Sequence, residues 1–396
     1  MKIFLATLGS RGDFEPFLNF AIQAKEKGHQ VSLAATSEFV DQISSAGIEP
    51  VALSGSFLDL IQDTGVSVIQ AMKDFNTKVK PVMTSALNKV VDVILETKPD
   101  AVIYHPKVLS APIAAEKVGA ISVVVELAPL ITPTREFGAA GLGSGNLGPF
   151  NKFSYKIVAQ SSSLFSKELL AISRRIGLPV RDADYSVCLV SPSLISRPKD
   201  WTEKTQIVGP WVSPKKESKE DPKVLEFIER APTAYFGFGS MATGNAKRRT
   251  EIAVEAARKV GLQALIVTGW GGLEQTKETP GVLTVQSVNH AEVFSRVVVA
   301  VHHGGAGTVH SALRGGVPSV IVPFIADQPW WGALLHRQGL GPKAISSKKL
   351  TVDSLSNAIK EAKKHQSVVK AVSSKMQSED GITSTLELLE KWVVLK

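Results

Sequence analysis

Cysteine is almost absent from this 396-residue chain, which has one, Cys188. An internal disulfide and a cysteine-based metal site are therefore excluded. No feature calls for an oxidising compartment, and a cytoplasmic location is expected. Cys188 lies in the apolar run Ser186-Val187-Cys188-Leu189-Val190 and reads as a small buried residue. Long hydrophobic runs are also missing, and no stretch reaches the roughly 20 residues needed to span a bilayer. Met1 to Leu8 looks superficially like the start of a signal peptide, but Arg11 and Asp13 close the run and no small-residue cleavage pattern follows. A first β-strand explains it better. Acidic residues are fewer than basic ones, 37 against 45, for a net charge of +8. That balance suits acidic small molecules, an anionic membrane surface in peripheral contact, or nucleic acid. Nucleic acid is not expected as a partner, because the basic residues are scattered and form no Arg-rich stripe interleaved with aromatics.

The rest of the composition, 44% hydrophobic and 21% charged, is that of an ordinary globular protein. The length suggests two or three domains. Along the chain, short apolar strands alternate with amphipathic helices. Strands are expected at Lys2 to Leu8, Gln30 to Ala35, Ile48 to Leu53, Ala101 to Tyr104 and Ile121 to Glu126, with a first helix over Phe14 to Lys27 ended by Gly28. Val66 to Thr97 is helical in character, and Pro81 should kink or split it. Pro129 to Phe150 reads as a long Gly- and Pro-rich loop. The alternation restarts with strands at Thr233 to Phe238, Gln263 to Thr268, Val282 to Val285, Val297 to Val301 and Ser319 to Val322. Pro198 to Pro222 lies between, with proline and mixed charge, and reads as a linker. Strands separated by helices imply parallel βαβ units. The expected fold class is α/β, with two Rossmann-like parallel-sheet domains facing a cleft, and ligands beyond the carboxyl ends of the strands.

Four segments carry candidate chemistry. In Val301-His302-His303-Gly304-Gly305-Ala306-Gly307-Thr308, small residues link a strand to a helix whose first N–H groups have no intrahelical partner. That is an anion site suited to a diphosphate, although it fits neither the P-loop nor the dinucleotide fingerprint. A tight turn with structural histidines fits the same residues. Val322 to Trp331 places Asp327 and Gln328 together at a strand end, an acceptor and an amide suited to sugar hydroxyls. Asp327 also fits a simple helix cap. Gly9-Ser10-Arg11-Gly12-Asp13-Phe14-Glu15-Pro16 puts a carboxylate just after the first strand, as a reactive group or an N-cap. Gly239 and Ser240, after the first strand of the second half, are a weaker candidate phosphate contact.

These segments, in this order, resemble the nucleotide-sugar-dependent family-1 glycosyltransferases of the GT-B fold, in the bacterial branch near the glycopeptide-antibiotic glucosyltransferases and the sterol 3-β-glucosyltransferases. The resemblance implies a domain at residues 1–205 that binds the acceptor and one at 206–378 that binds the nucleotide sugar. A closing helix at 379–396 then crosses back to the first domain. It implies Asp13 as the catalytic base. His303, Gly305, Ala306, Gly307, Thr308, Gly239 and Ser240 would contact the donor diphosphate, and Asp327 and Gln328 the donor sugar. Ser287 and Val288 would lie at the nucleobase, where Asn289 replaces the family's proline. The implied reaction is inverting transfer of a hexose from UDP-glucose to a hydroxyl of a hydrophobic acceptor such as a terpenoid, sterol, flavonoid or polyketide. No metal and no cofactor beyond the nucleotide-sugar co-substrate are expected. A nucleotide-sugar epimerase of the same fold and a non-catalytic nucleotide-sugar-binding partner protein are the alternatives. His105, after the strand Ala101 to Tyr104, reads as structural.

Overall fold

The computed structural model describes residues 1–55, 75–143, 146–212, 220–239, 245–269, 271–276 and 279–396. The chain divides into two compact units. The first comprises Met1–Ala139, Pro149–Pro214 and Asp380–Lys396, and the second Ala140–Gly148 and Lys215–Glu379.

The first unit is built on β1 (Lys2–Ala6), β2 (Gln30–Thr36), β3 (Glu49–Leu53), β4 (Ala101–Tyr104), β5 (Ile121–Glu126), β6 (Tyr185–Cys188) and β7 (Thr205–Ile207). All pair in parallel, in the order β3-β2-β1-β4-β5-β6-β7. The connections include α1 (Arg11–Glu26), α2 (Val40–Ser45), α3 (Lys80–Thr97), α4 (Ala111–Val118), α5 (Asn151–Ala159) and α6 (Ser166–Ile176). Strand β1 shows why such strands are apolar throughout. Ile3 and Leu5 enter a core with Phe14, Phe17 and Phe20 of α1 and with Leu386 and Trp392 of the closing helix Gly381–Val394. Phe4 and Ala6 enter a second core with Leu87 and Val91 of α3 and Ile113 of α4. Alternate side chains of a parallel strand face opposite layers, so both must be apolar. The closing helix is fixed by the Trp392 ring stacked at 4.1 Å on Tyr185, and by Trp211 Nε1 donating to Thr385 Oγ1 at 3.0 Å.

Three sequence expectations change here. The linker Pro198 to Pro222 contains β7, whose short span and polar Gln206 gave no strand pattern. The first unit therefore runs past residue 205 to Pro214, and the Ala140–Gly148 segment groups with the second unit. Pro81 neither kinks nor splits a described helix: it stands in the first turn of α3, after a π-helical turn at Phe75–Val79. A missing N–H costs little in a first turn. The part of the Val66 to Thr97 expectation before residue 75 lies outside the described residues. Finally, Ser10, not Asp13, caps α1. Asp13 is the third helical residue, and Pro16 falls inside the helix.

The second unit carries β8 (Thr233–Gly237), β9 (Gln263–Val267), β10 (Val282–Val285), β11 (Val299–His302) and β12 (Ser319–Ile321), parallel in the order β10-β9-β8-β11-β12. Its helices include α7 (Pro222–Arg230), α8 (Ala246–Lys259), α9 (His290–Val293), α10 (Ala306–Arg314), α11 (Gln328–Arg337), α12 (Val352–Ala362) and α13 (Gln366–Met376). Phe236 and Phe238 pack with Ala253 of α8 and Ile359 of α12 on one face, while Tyr235 packs with Phe294 and Ala312 on the other.

Both sheets reverse direction once. In the first, the chain winds outward from β1 to β3, then returns to β4 on the other side of β1. In the second it winds from β8 to β10, then returns to β11 beside β8. The loops after β1 and β4 diverge, as do those after β8 and β11, opening a crevice at the carboxyl ends of the strands.

Candidate active site

In the first unit, the crevice between β1 and β4 brings Asp13 and His105 together. His105 Nε2 lies 3.1 Å from Asp13 Oδ1. The backbone N–H of Lys107 donates to His105 Nδ1 at 3.2 Å, so Nε2 carries the proton and donates it to the carboxylate. Asp13 Oδ2 accepts from Ser10 N at 2.8 Å and Ser10 Oγ at 3.1 Å, and lies 3.3 Å from Lys107 Nζ. Burial disfavours ionisation of Asp13. The Lys107 ammonium, His105 and the Ser10 N–H outweigh burial and hold the carboxyl well below the ordinary carboxylate range. Burial also lowers the His105 pKa and so favours the neutral ring, against the pull of Asp13 toward the charged form. The Asp13 side chain remains 17% exposed, while that of Lys107 is 44% exposed. The site is therefore a fixed carboxylate whose cationic neighbour among the described residues is a long, half-exposed side chain. Gly9 permits it. At φ +141° its backbone favours glycine, and a Cβ there would stand 2.2 Å from Asp13 Oδ2.

Sequence reasoning placed Asp13 correctly after the first strand but left His105 and Lys107 out. Its signal was the register, since His105 follows β4 at the reversal point just as Asp13 follows β1. It also passed over Glu126, the last residue of β5. This fully buried carboxylate accepts from Leu130 N at 2.8 Å, Ile131 N at 2.6 Å, Thr132 Oγ1 at 2.6 Å and Ser186 Oγ at 2.8 Å. It ties the start of the long Pro129 to Phe150 loop to the sheet. An Asp-x-Asp pair, Asp182-Ala183-Asp184, was also passed over. Asp184 is committed to structure: it accepts from Arg181 Nη2 at 2.6 Å and from Ser122 N and Oγ at 2.9 Å. Among the described residues no cluster of three His, Cys, Asp or Glu side chains is arranged to hold a metal.

In the second unit, the crevice between β8 and β11 brings Gly239, His303 and Gly305 together. A Cβ on Gly239 would lie 3.2 Å from the His303 ring, and one on Gly305 would lie 2.5 Å from His303 Nε2. Glycine is required by that approach. Gly305 caps α10 with no side-chain hydrogen bond. The N–H groups of Ala306, Gly307 and Thr308 in the first turn thus remain available to an anion. His303 Nδ1 is buried with no hydrogen-bond partner. Burial lowers the His303 pKa to about 4, only partly offset by a hydrogen bond with the Gly237 backbone. The ring is neutral at pH 7, and its buried nitrogen awaits a partner. Ser240 lies outside the described residues.

Next to this turn, Ala326 adopts a left-handed φ of +56°, uncommon for a residue with a side chain, immediately before Asp327. Gln328 Oε1 accepts from Phe324 N at 2.7 Å and Ile325 N at 3.1 Å, holding that turn. Asp327 Oδ2 accepts from Trp331 Nε1 at 2.8 Å, and Asp327 makes no side-chain cap to its helix. Gln328 is 3% exposed, and its backbone lies against Gly304. Ser287 and Val288 follow β10 on the same carboxyl-end side, Ser287 exposed and Val288 half-buried. Asn289 caps α9, its side chain accepting from Ala291 N at 2.9 Å.

Two parallel α/β units, a carboxylate–histidine pair in one and an uncapped helix start in the other, are the arrangement of the GT-B fold. Residues 3–126 match the glycosyltransferase family 28 N-terminal domain, and residues 259–385 the erythromycin biosynthesis protein CIII-like C-terminal domain. Together these two matches support a GT-B glycosyltransferase of the family-1 type. It is 29% identical to a sterol 3-beta-glucosyltransferase of Arabidopsis thaliana, over 99% of this chain and 65% of that protein. It is 28% identical to one from Saccharomyces cerevisiae, covering 98% of this chain and 35% of that protein. These relatives are longer than the chain. With the O-mycaminosyltylonolide 6-deoxyallosyltransferase of Streptomyces fradiae it shares 26% identity, over 99% of this chain and 97% of that one. Among solved structures, the glycosyltransferase of kitacinnamycin superposes with a TM-score of 0.76 at 19% identity, covering 99% of both chains. That likeness shows the fold.

Proposed function

We propose that the protein transfers a hexose, with inversion, from a nucleoside diphosphate sugar to a hydroxyl of a hydrophobic acceptor. UDP-glucose is the expected donor and a sterol the first acceptor to test. The observation that carries this reading is the Asp13 carboxylate fixed by a neutral His105 at the reversal point of the first sheet. A binding protein has no need of a base held there.

The first unit supplies the base. Asp13 accepts the hydroxyl proton as the oxygen attacks the anomeric carbon. A free hydroxyl is far less acidic than a carboxylic acid, so proton transfer accompanies C–O bond formation. His105 keeps one carboxylate oxygen oriented without competing for the proton, because its Nε2 is already protonated. The second unit supplies the donor site. The first turn of α10 and the His303 ring face the diphosphate, whose negative charge grows as the anomeric bond breaks, and fixed dipoles stabilise that charge. Asp327 and the Nε2 group of Gln328 hold the hexose hydroxyls, with Ser287 and Val288 at the base. Attack opposite the leaving group inverts the anomeric centre. The names of the Arabidopsis and yeast relatives support a sterol acceptor, and that of the Streptomyces relative a macrolide.

The test is to mix the protein with UDP-glucose and a panel of hydroxylated sterols, terpenoids, flavonoids and macrolides, then measure nucleotide release, product mass and anomeric configuration. A one-hexose mass gain with inversion is expected. Conversion of the donor sugar without any acceptor would make the protein an epimerase. Donor binding without turnover, with both uridine- and thymidine-linked sugars, would make it a non-catalytic partner.

A further inference from the structure

Helix α5 and the residue before it are packed inside out. Its inward face is polar: Asn151 Nδ2 donates to Arg135 O at 2.9 Å, and Ser154 Oγ accepts from Ala139 N at 2.7 Å. Tyr155 is also inward, 2% exposed. Its outward face is apolar. Phe150 is 67% exposed, Phe153 58% and Ile157 42%, at the i, i+3, i+7 spacing of one helical stripe. Leu164, in the 3-10 turn that follows, is 52% exposed. A globular helix ordinarily turns such a stripe to the core, and a contiguous exposed one marks an interaction site.

Charge selects the occupant. From Phe137 to Lys167 there is no acidic residue, and there are three lysines, Lys152, Lys156 and Lys167. Lys152 and Lys156 are exposed and sit beside the apolar stripe on α5. Lys152 pairs with Asp200 at 3.1 Å, whereas Lys156 is in no ion pair among the described residues. A second copy of the chain docked here about a two-fold axis would bring these lysines against their own counterparts, with no acid in the segment to offset them. A bilayer rich in anionic lipid has no such conflict. An apolar face with lysines at its flank is the pattern of a helix lying in the lipid interface. No described helix is long and apolar enough to cross a membrane.

We infer that Phe150, Phe153, Ile157 and Lys156 form a docking face for anionic lipid bilayers, which seats the first unit at the membrane surface. The inference goes beyond the transfer reaction and does not depend on it.

The test is co-sedimentation of the full chain with phosphatidylcholine vesicles and with vesicles of phosphatidylcholine and phosphatidylserine. Binding to the mixed vesicles is expected, falling as salt rises because the attraction is screened. Lys156→Glu should weaken it about tenfold, from the loss and reversal of one charge near the surface. Phe153→Ser with Ile157→Ser should weaken it about thirtyfold, from lost apolar insertion. Both sites are exposed, so the thermal unfolding midpoint should not move. Equal wild-type binding to both vesicle types, or to neither, would overturn the inference. So would a concentration-dependent dimer in sedimentation equilibrium that Phe153→Ser with Ile157→Ser converts to monomer. Vesicle binding is read without substrate, so a failure here leaves the proposed transfer reaction standing, and the converse also holds.

Discussion

Replacing Asp13 with Asn tests the proposed chemistry most directly. The amide has nearly the shape of the carboxylate. Its oxygen can still accept from Ser10 N, now 2.8 Å from Asp13 Oδ2. The hydrogen bond from His105 Nε2 is lost, because the amide nitrogen then faces that donor, and two further things go with it. One is the ion pair with Lys107, whose side chain is 44% exposed and contributes about 1 kcal/mol or less. The other is the only group among the described residues at this crevice that can take a proton from an acceptor hydroxyl. His105 cannot replace it, because Nε2 holds a proton and Nδ1 is occupied by the Lys107 N–H. General-base catalysis contributes about a hundredfold to ten-thousandfold. A loss in kcat of about a thousandfold is therefore expected, with donor affinity unchanged, since the donor groups belong to the second unit. The assay pairs steady-state nucleotide release in the presence of acceptor with calorimetric titration of donor. A variant with kcat within about tenfold of wild type would refute the base assignment. A variant that lost donor binding as well would show that the substitution acts through the fold.

Three further outcomes follow from the same geometry. Lys107→Met removes the main cation holding Asp13 ionised, so the Asp13 pKa should rise toward the ordinary value near ~4. Activity needs the carboxylate, so the acid limb of kcat/KM should move to higher pH; an unmoved limb would remove Lys107 from the pair's electrostatics. A folded-state pKa held low also contributes stability above the unfolded-state value, lost as pH falls through the folded value, so this variant should unfold at higher pH on acid titration. Gly305→Ala would place a Cβ 2.5 Å from His303 Nε2, displacing the ring or the turn. Donor kcat/KM should fall about tenfold to a hundredfold while the unfolding midpoint changes little, and normal donor kinetics would show that the ring does not meet the donor. Glu126→Ala leaves the N–H groups of Leu130 and Ile131 and the Ser186 hydroxyl without their acceptor. A stability loss of at least about 3 kcal/mol is expected by urea denaturation, and a loss under about 1 kcal/mol would show that water replaces the carboxylate easily.

The strands were legible because parallel strands buried on both faces need unbroken apolar runs. Ala101 to Tyr104, Ile121 to Glu126 and Val282 to Val285 match their observed ends. Strand β7 was not legible, since three residues with a central Gln206 show no period. In the sequence Asp13 reads as a reactive group or an N-cap, because Ser10 and Asp13 both suit a cap. Only the closed box, with Asp13 reaching back to Ser10 N, distinguishes them. The turn at His303 was legible as an open helix start from its small residues. The pairing of Asp13 with His105 spans 92 positions and depends on β1 and β4 lying side by side, which spacing along the chain does not reveal. Nor does composition show that α5 turns its polar side inward, because its phenylalanines alone would argue for the core.

The two reversal points place similar strand-to-helix turns under opposite charge demands. In the first unit, Ser10 to Asp13 closes the start of α1 on itself: a carboxylate occupies the place where an anion would otherwise bind, and Ser10 N, His105 and Lys107 converge on it. The negative charge is thus built into the protein, ready to receive a proton. In the second unit the equivalent positions are Gly305 and Thr308, and neither carries a charge. The helix start stays open, the His303 ring is neutral, and a buried nitrogen has no partner. In the proposed reaction the negative charge comes from outside, with the diphosphate of the donor. A carboxylate at Thr308 would close this turn as Asp13 closes the other, and would repel the donor. One side chain at the third helical position therefore decides whether a helix start at the end of a parallel strand holds a base or binds an anion.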